Sequence, residues 1–152
     1  MGCRNKGFTL VELMVSIAIV GILTAMAVPA YHTWQQRAYG SEAAIMLKQL
    51  TEAEITYYLD NNKYFSEDTP LSVRHDSQEP ANASDQIFNN LHLRIPQGHF
   101  IDYDLYAEED TFYLIITVSD KANFDLFKGT SQIYAILDKD GQVNIMYAGL
   151  PK

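Results

Sequence analysis

Glu12 is the residue on which the chemistry of this chain turns. It is the only charge among the 23 residues from Phe8 to Ala30, and a carboxylate in an apolar phase is unfavourable by roughly 2.5 to 3.5 kcal/mol, less near a segment's end. Such a group needs a partner. The nearest cations, Arg4 and Lys6, lie on the far side of Phe8. A cut between Gly7 and Phe8 would supply a better one, a new α-amino group about one helical turn from Glu12. The amine of one copy could then pair with Glu12 of the next, making the lone charge a register device for stacking apolar helices. The plainer alternative is a Glu12 that sits at a membrane interface and snorkels.

The element that must carry Glu12 is a helix. At about 1.5 Å of rise per residue, a helix from Phe8 to Ala30 spans a hydrocarbon core of about 30 Å. The leader ahead of it, Met1 to Lys6, carries two cations and no acid. By the positive-inside rule the leader stays in the cytoplasm and everything after Tyr31 is exported.

The stretch Gly7-Phe8-Thr9-Leu10-Val11-Glu12-Leu13-Met14-Val15, continuing through Ile19-Val20-Gly21-Ile22-Leu23 to Ala27-Val28-Pro29-Ala30-Tyr31, closely resembles the N-terminus of type IV pilins and type II secretion pseudopilins. The resemblance covers about the first 35 residues closely and the remainder only in layout. It implies a membrane-embedded prepilin peptidase that cuts after Gly7 and N-methylates Phe8. It makes Glu12 the assembly glutamate and Thr9 a polar neighbour able to share the amine contact. It also implies that the helix loosens between Gly21 and Pro29 when subunits leave the membrane for the filament. That agrees with the low helix propensity of glycine and the backbone donor that proline lacks. The organisation expected is a prepilin leader over 1–7, a transmembrane and assembly helix over 8–30, and an exported head over 31–152.

Beyond Tyr31 the helical pattern continues to about Leu59. Ala43, Met46 or Leu47, Leu50, Ala53 and Tyr57 recur at three- and four-residue spacing, while Glu42, Lys48, Gln49 and Glu52 fall elsewhere. Trp34, Tyr39, Tyr57 and Tyr58 are expected to be packing groups, and Asn61-Asn62 a stop. From Asp60 to Gly98 no period is sustained, which predicts a surface connection with one short helix capped by Ser84 and covering Asp85 to Leu91. Asn82-Ala83-Ser84 fits a glycosylation acceptor, a triplet frequent by chance.

Four strand signals close the chain. Ile101, Tyr103 and Leu105 alternate with Asp102 and Asp104; Thr111 to Ser119 is nearly continuous and apolar; Gln132 to Leu137 and Gln142 to Tyr147 flank a turn. Short turns make the neighbours antiparallel. The predicted fold is α+β, a long N-terminal helix laid across a small antiparallel sheet between 100 and 148. Phe124, Leu126 and Phe127 are expected to pack under its edge.

Motifs for catalysis or metal binding are scarce. Asp138-Lys139-Asp140-Gly141 starts like a calcium loop but lacks the later ligands, so a hairpin turn is expected. His32, His75, His92 and His99 have no metal-ligand spacing. Lys128-Gly129-Thr130 lacks the upstream glycine of a phosphate loop, and no serine has a nucleophile-elbow context. No enzyme, cofactor or metal is expected. Loss of Arg4 and Lys6 leaves 9 of the 11 basic residues against 19 acidic ones, a formal balance of −10. Such acidity argues against a nucleic-acid partner, and Arg74, His75 and Arg94 are too scattered to form a basic stripe. Cys3, the single cysteine, lies in the leader, so the mature chain has no disulfide. Here it departs from the many pilins whose C-terminal loop is closed by a cystine pair.

The reading this supports is a self-assembling pilus subunit. Its partners are further copies of itself, the inner membrane before assembly, the prepilin peptidase, and the pilus or secretion assembly machinery. A pseudopilin or minor pilin is the nearest alternative. A soluble secreted binding protein is the other: Leu13 to Leu23 could serve as the apolar core of a signal peptide, with a cut near Ala25-Met26-Ala27. Glu12 at the edge of that core, and the helical pattern running past the cut, stand against it.

Overall fold

The structure is a computed structural model that describes residues 7–67, 70–76, 81–96, 100–119, 121–122, 124–127 and 129–148. The leader with Cys3, Arg4 and Lys6, together with His99, Lys128 and the side chain of Asn82, lies outside the described residues. The chain divides into two units, Met1–Gln35 and Gln36–Lys152, and each is described by itself.

Helix α1, Leu10–Asn61, enters both units. In the first it is helical through Gly21 and Pro29, and its large apolar side chains up to Tyr31 are uncovered, from Val28 at 49% exposure to Leu10 at 72%. In the second, Ala43, Met46, Leu47 and Leu50 are buried as expected. The stripe then continues through Thr51 and Glu54, not through Ala53 and Tyr57, which are only half-buried. Trp34 differs from expectation as well: it is 75% exposed, whereas Tyr39, Tyr57 and Tyr58 pack against the core. The helix ends where the asparagine pair predicts. Asn62 takes the left-handed conformation at φ 57° and its N–H donates to the Tyr58 carbonyl at 2.8 Å, the αL arrangement that satisfies a terminal carbonyl.

The second unit holds a five-stranded antiparallel sheet in the order β1-β2-β3-β4-β5. Its strands are β1, Leu71–Val73; β2, Ile101–Glu108; β3, Thr111–Val118; β4, Gln132–Leu137; and β5, Val143–Ala148. Strand β1 is the element absent from the sequence reading. Three residues with Leu71 and Val73 inward and Ser72 outward are too few to show a period amid polar neighbours. The helix in the same connection, α2, runs Ala81–Leu91. Ser84 therefore lies inside it and does not cap it; alanines at 81 and 83, the best helix formers, let the helix begin earlier than the capping rule suggests. Ile87 and Leu91, one turn apart, enter the core.

Alternation does the rest. Leu71 and Val73, Ile101, Tyr103 and Leu105, Phe112 through Val118 at every second residue, and Ile133, Ala135 and Leu137 are all buried on one face against residues 43–50 of α1. The β2–β3 loop is the two-residue pair Glu109-Asp110, both left-handed at φ 47° and 62°, the backbone of a type I′ hairpin. At the β4–β5 turn Asp138 Oδ1 accepts from the N–H groups of Asp140 and Gln142, with Gly141 at φ 75°. The carboxylate there organises a hairpin, as expected. Tyr64, buried after α1, ties its segment to that turn by donating to the Asp138 carbonyl at 2.6 Å.

Leu126 is buried, as expected, while Phe127 stays 39% exposed. Gly40 makes this packing possible: a Cβ there would lie 2.3 Å from the Leu126 carbonyl oxygen. Because the obstacle is backbone, Gly40→Ala is expected to destabilise the second unit by about 1–3 kcal/mol. Denaturant titration of the detergent-solubilised full chain would measure it, and an unchanged midpoint would contradict the close approach.

Candidate assembly site

The start of α1 explains why threonine and glutamate stand three residues apart. Thr9 precedes the first helical residue. Its backbone N–H and its hydroxyl both donate to Glu12 Oε2 at 2.8 Å, and Glu12 N–H donates back to Thr9 Oγ1 at 3.3 Å. This is a reciprocal capping box, in which two otherwise orphaned backbone donors are satisfied. The pattern Thr9-x-x-Glu12 before an apolar run is the sequence signal for it. Within one copy, then, Glu12 is held at the very start of the helix by Thr9.

The serine and threonine side chains of residues 10–35 are turned back on the helix. Ser16, Thr24 and Thr33 each donate a hydroxyl to the carbonyl four residues earlier, Glu12, Val20 and Pro29, at 2.7, 2.8 and 3.1 Å. Such bonds let hydroxyl groups enter a low-dielectric phase without an unpaired donor. By length and composition this helix can cross a membrane, with a mean hydropathy of 2.3 over its most apolar window. From Leu13 to Ala30 it carries no charged side chain.

Two glycines here have no local reason to be glycine. A Cβ at Gly7 or at Gly21 would meet no atom within 4 Å, and neither residue has a positive φ. Glycine in a helix interior costs about 1 kcal/mol relative to alanine. At Gly21, inside α1, that cost has no local compensation.

On the second unit the sequence reading missed an ion-pair cluster. Asp102 and Asp104 point to the outer face of β2, where Arg74 forks onto Asp104 with bonds of 3.0 and 2.7 Å. The backbone N–H and ring Nδ1 of His75 both meet Asp102 Oδ1, at 2.8 and 2.9 Å. Lys121 pairs with Asp76, which holds the Asp76 carboxyl below its ordinary range and raises the Lys121 ammonium. The two carboxylates alternating with Ile101, Tyr103 and Leu105 were legible; their cations were not, because β1 was not recognised. Arg74 and His75 are thus committed to fixing β1 on β2. Among the described residues no three His, Cys, Asp or Glu side chains gather to hold a metal ion.

Residues 2–28 match the family model of the prokaryotic N-terminal methylation motif. The chain is similar to a type IV major pilin protein of Neisseria gonorrhoeae, 45% identical over 73 residues that cover 48% of this chain and 44% of that relative. It is also similar to a type IV major pilin protein of Myxococcus xanthus, 44% identical over 61 residues covering 40% and 28%, and to a fimbrial protein of Pseudomonas aeruginosa, 37% identical over 72 residues covering 47% of each. The chain therefore spans less than half the length of these relatives. No solved structure matches it significantly.

Proposed function

We propose that this chain, which carries the N-terminal methylation motif and is homologous over part of its length to type IV major pilins, is a structural subunit of a type IV pilus. The observation that carries the reading is the uncovered apolar helix of residues 10–30 with one carboxylate locked at its first turn. Prepilin peptidase cuts after Gly7 and methylates Phe8. The open surroundings of Gly7 support this, since a glycine that the fold does not need is one that a processing enzyme can require.

Before assembly the helix lies in the inner membrane, with the leader cytoplasmic and the head exported. On assembly, burial in lipid is exchanged for burial against the same segment of other copies, so apolar area never meets water. The new Phe8 amine stands one residue before the Thr9 N–H that already bonds Glu12. A neighbour's amine reaching that carboxylate would set the axial register, because a buried ion pair can specify geometry while adding little net stability. Gly21 and Pro29 are the positions where the helix loosens on extraction. The relatives named as major pilins favour this reading over a pseudopilin.

The test is the intact mass of the N-terminal peptide from native cell envelopes. A peptide beginning at Phe8 and heavier by one methyl group is the expected result. A chain beginning at Val28 or Ala30 would show a cleaved secretory signal, discard Glu12, and end the filament reading.

A further inference from the structure

The two edges of the sheet are finished differently. Strand β1 is three residues long, lies beside α2, and runs straight into Arg74 and His75, whose side chains are tied to Asp104 and Asp102. Short, charged edges of that kind resist pairing with another chain. Strand β5 has none of these guards. Val143–Ala148 carries no charge and no proline and follows β4 residue for residue without a bulge. On the inner face Val143, Ile145 and Tyr147 are 41%, 41% and 62% exposed. The direction of the free backbone groups follows from the ladder. At the turn the Asp138 N–H donates to the Gln142 carbonyl. By antiparallel alternation Asn144 and Met146 also bond β4, and the N–H and C=O groups of Val143, Ile145 and Tyr147 point away from it. Among the described residues no strand meets them.

We propose that β5 is a contact between filaments, pairing antiparallel with β5 of a copy in a second filament. The inference rests on the pilus-subunit reading and names a surface by which finished filaments meet. The strand is complementary to itself. Turned about a two-fold axis through Ile145, it sets Ile145 against Ile145, Val143 against Tyr147 and Asn144 against Met146, with no charge opposite another. All three residues whose backbone points outward then fall in hydrogen-bonded pairs; centring on Met146 would leave Val143 without a partner in the strand. Such a contact is isologous and closes on itself. The same two-fold, standing perpendicular to the sheet, reverses the part of α1 that is packed on the sheet. Copies pointing the same way, in one membrane or one filament, therefore cannot make it. Copies in two filaments running in opposite directions can. The helical repeat that two such filaments share brings further β5 pairs into register, and contacts that are weak singly hold collectively.

The absence of cysteine after the leader makes the two-fold testable by disulfides. Purified filaments of the full chain carrying Ile145→Cys, Val143→Cys, or Val143→Cys with Tyr147→Cys are oxidised and run without reductant. Dimers are expected from Ile145→Cys alone and from the double variant, but not from Val143→Cys alone. Electron microscopy gives the second readout. The unsubstituted chain is expected to form bundles of opposed filaments. Ile145→Lys sets two like charges against each other at the two-fold, and should abolish the bundles while filament yield holds; mixing those filaments with Ile145→Glu filaments should restore them. Filaments of the unsubstituted chain that never bundle overturn the contact alone, as do bundles that survive Ile145→Lys, an Ile145→Cys variant that forms no dimers, or dimers from Val143→Cys by itself. Failure of the correctly processed, unsubstituted chain to form filaments at all overturns the pilus reading together with this inference.

Discussion

Glu12→Ala is expected to leave cleavage, methylation and membrane insertion intact and to abolish filaments. The geometry of the capping box allows the reason to be divided into two parts. Alanine removes both the reciprocal bonds with Thr9, a local loss of about 1 kcal/mol at the helix start, and the charge offered to a neighbouring amine. Glu12→Gln separates them, because a glutamine at this position still completes a capping box while carrying no charge. If the inter-subunit pair sets the register, Gln fails as Ala does: an amine left buried without its carboxylate costs about 3–5 kcal/mol, raising the concentration needed for growth by more than about a hundredfold. Sheared-filament yield and electron microscopy read the outcome. Normal filaments from Glu12→Gln, with none from Glu12→Ala, would assign Glu12 to the local cap and sink the pairing mechanism.

Elements whose pattern repeats over many residues were legible in the sequence. The long helix, the α+β class and the four longer strands each rest on a periodic or continuous apolar signal about five residues long or more, and β4, Gln132–Leu137, was placed to the residue. What was illegible is what depends on a partner distant in sequence. Strand β1 exists because Leu71, Ser72 and Val73 find Leu105, Asp104 and Tyr103, and nothing within three residues announces that pairing. The roles of Arg74 and His75 follow from it and were hidden with it. At the candidate assembly site the position was different: Glu12 was conspicuous as a lone charge, and its bonds to Thr9 were available from the four-residue pattern Thr9-x-x-Glu12. Glu54 was missed for a simpler reason. A charged residue in an amphipathic helix is assigned to the wet face by default, and here Glu54 lies on the buried stripe.

That burial has a measurable consequence for the second unit. Glu54 is fully buried. Its Oε2 accepts from the Phe65 N–H at 3.0 Å, while Oε1 has no hydrogen-bond partner among the described residues. Burial raises its pKa to about 7 against the Phe65 bond, which acts to lower it. In the unfolded chain the same carboxyl titrates near 4.5. Below that pH both states hold the proton and the stability is complete. Between 4.5 and 7 the native state keeps a proton that the unfolded state has released, so stability falls as pH rises; above 7 both are ionised and the loss levels off. The shift corresponds to about 3 kcal/mol. Denaturant titrations of the detergent-solubilised full chain from pH 4 to pH 8 should therefore show a falling stability that Glu54→Gln flattens. Comparison with that variant cancels the other titrating groups, so parallel profiles for the two proteins would show that Glu54 does not hold a proton in the fold. A Glu54 that does hold one at pH 6 explains why a carboxylic acid can sit beneath Phe65 at all. Protonated, it keeps one oxygen for the Phe65 N–H, and only its ionisation turns the site into an uncompensated buried charge.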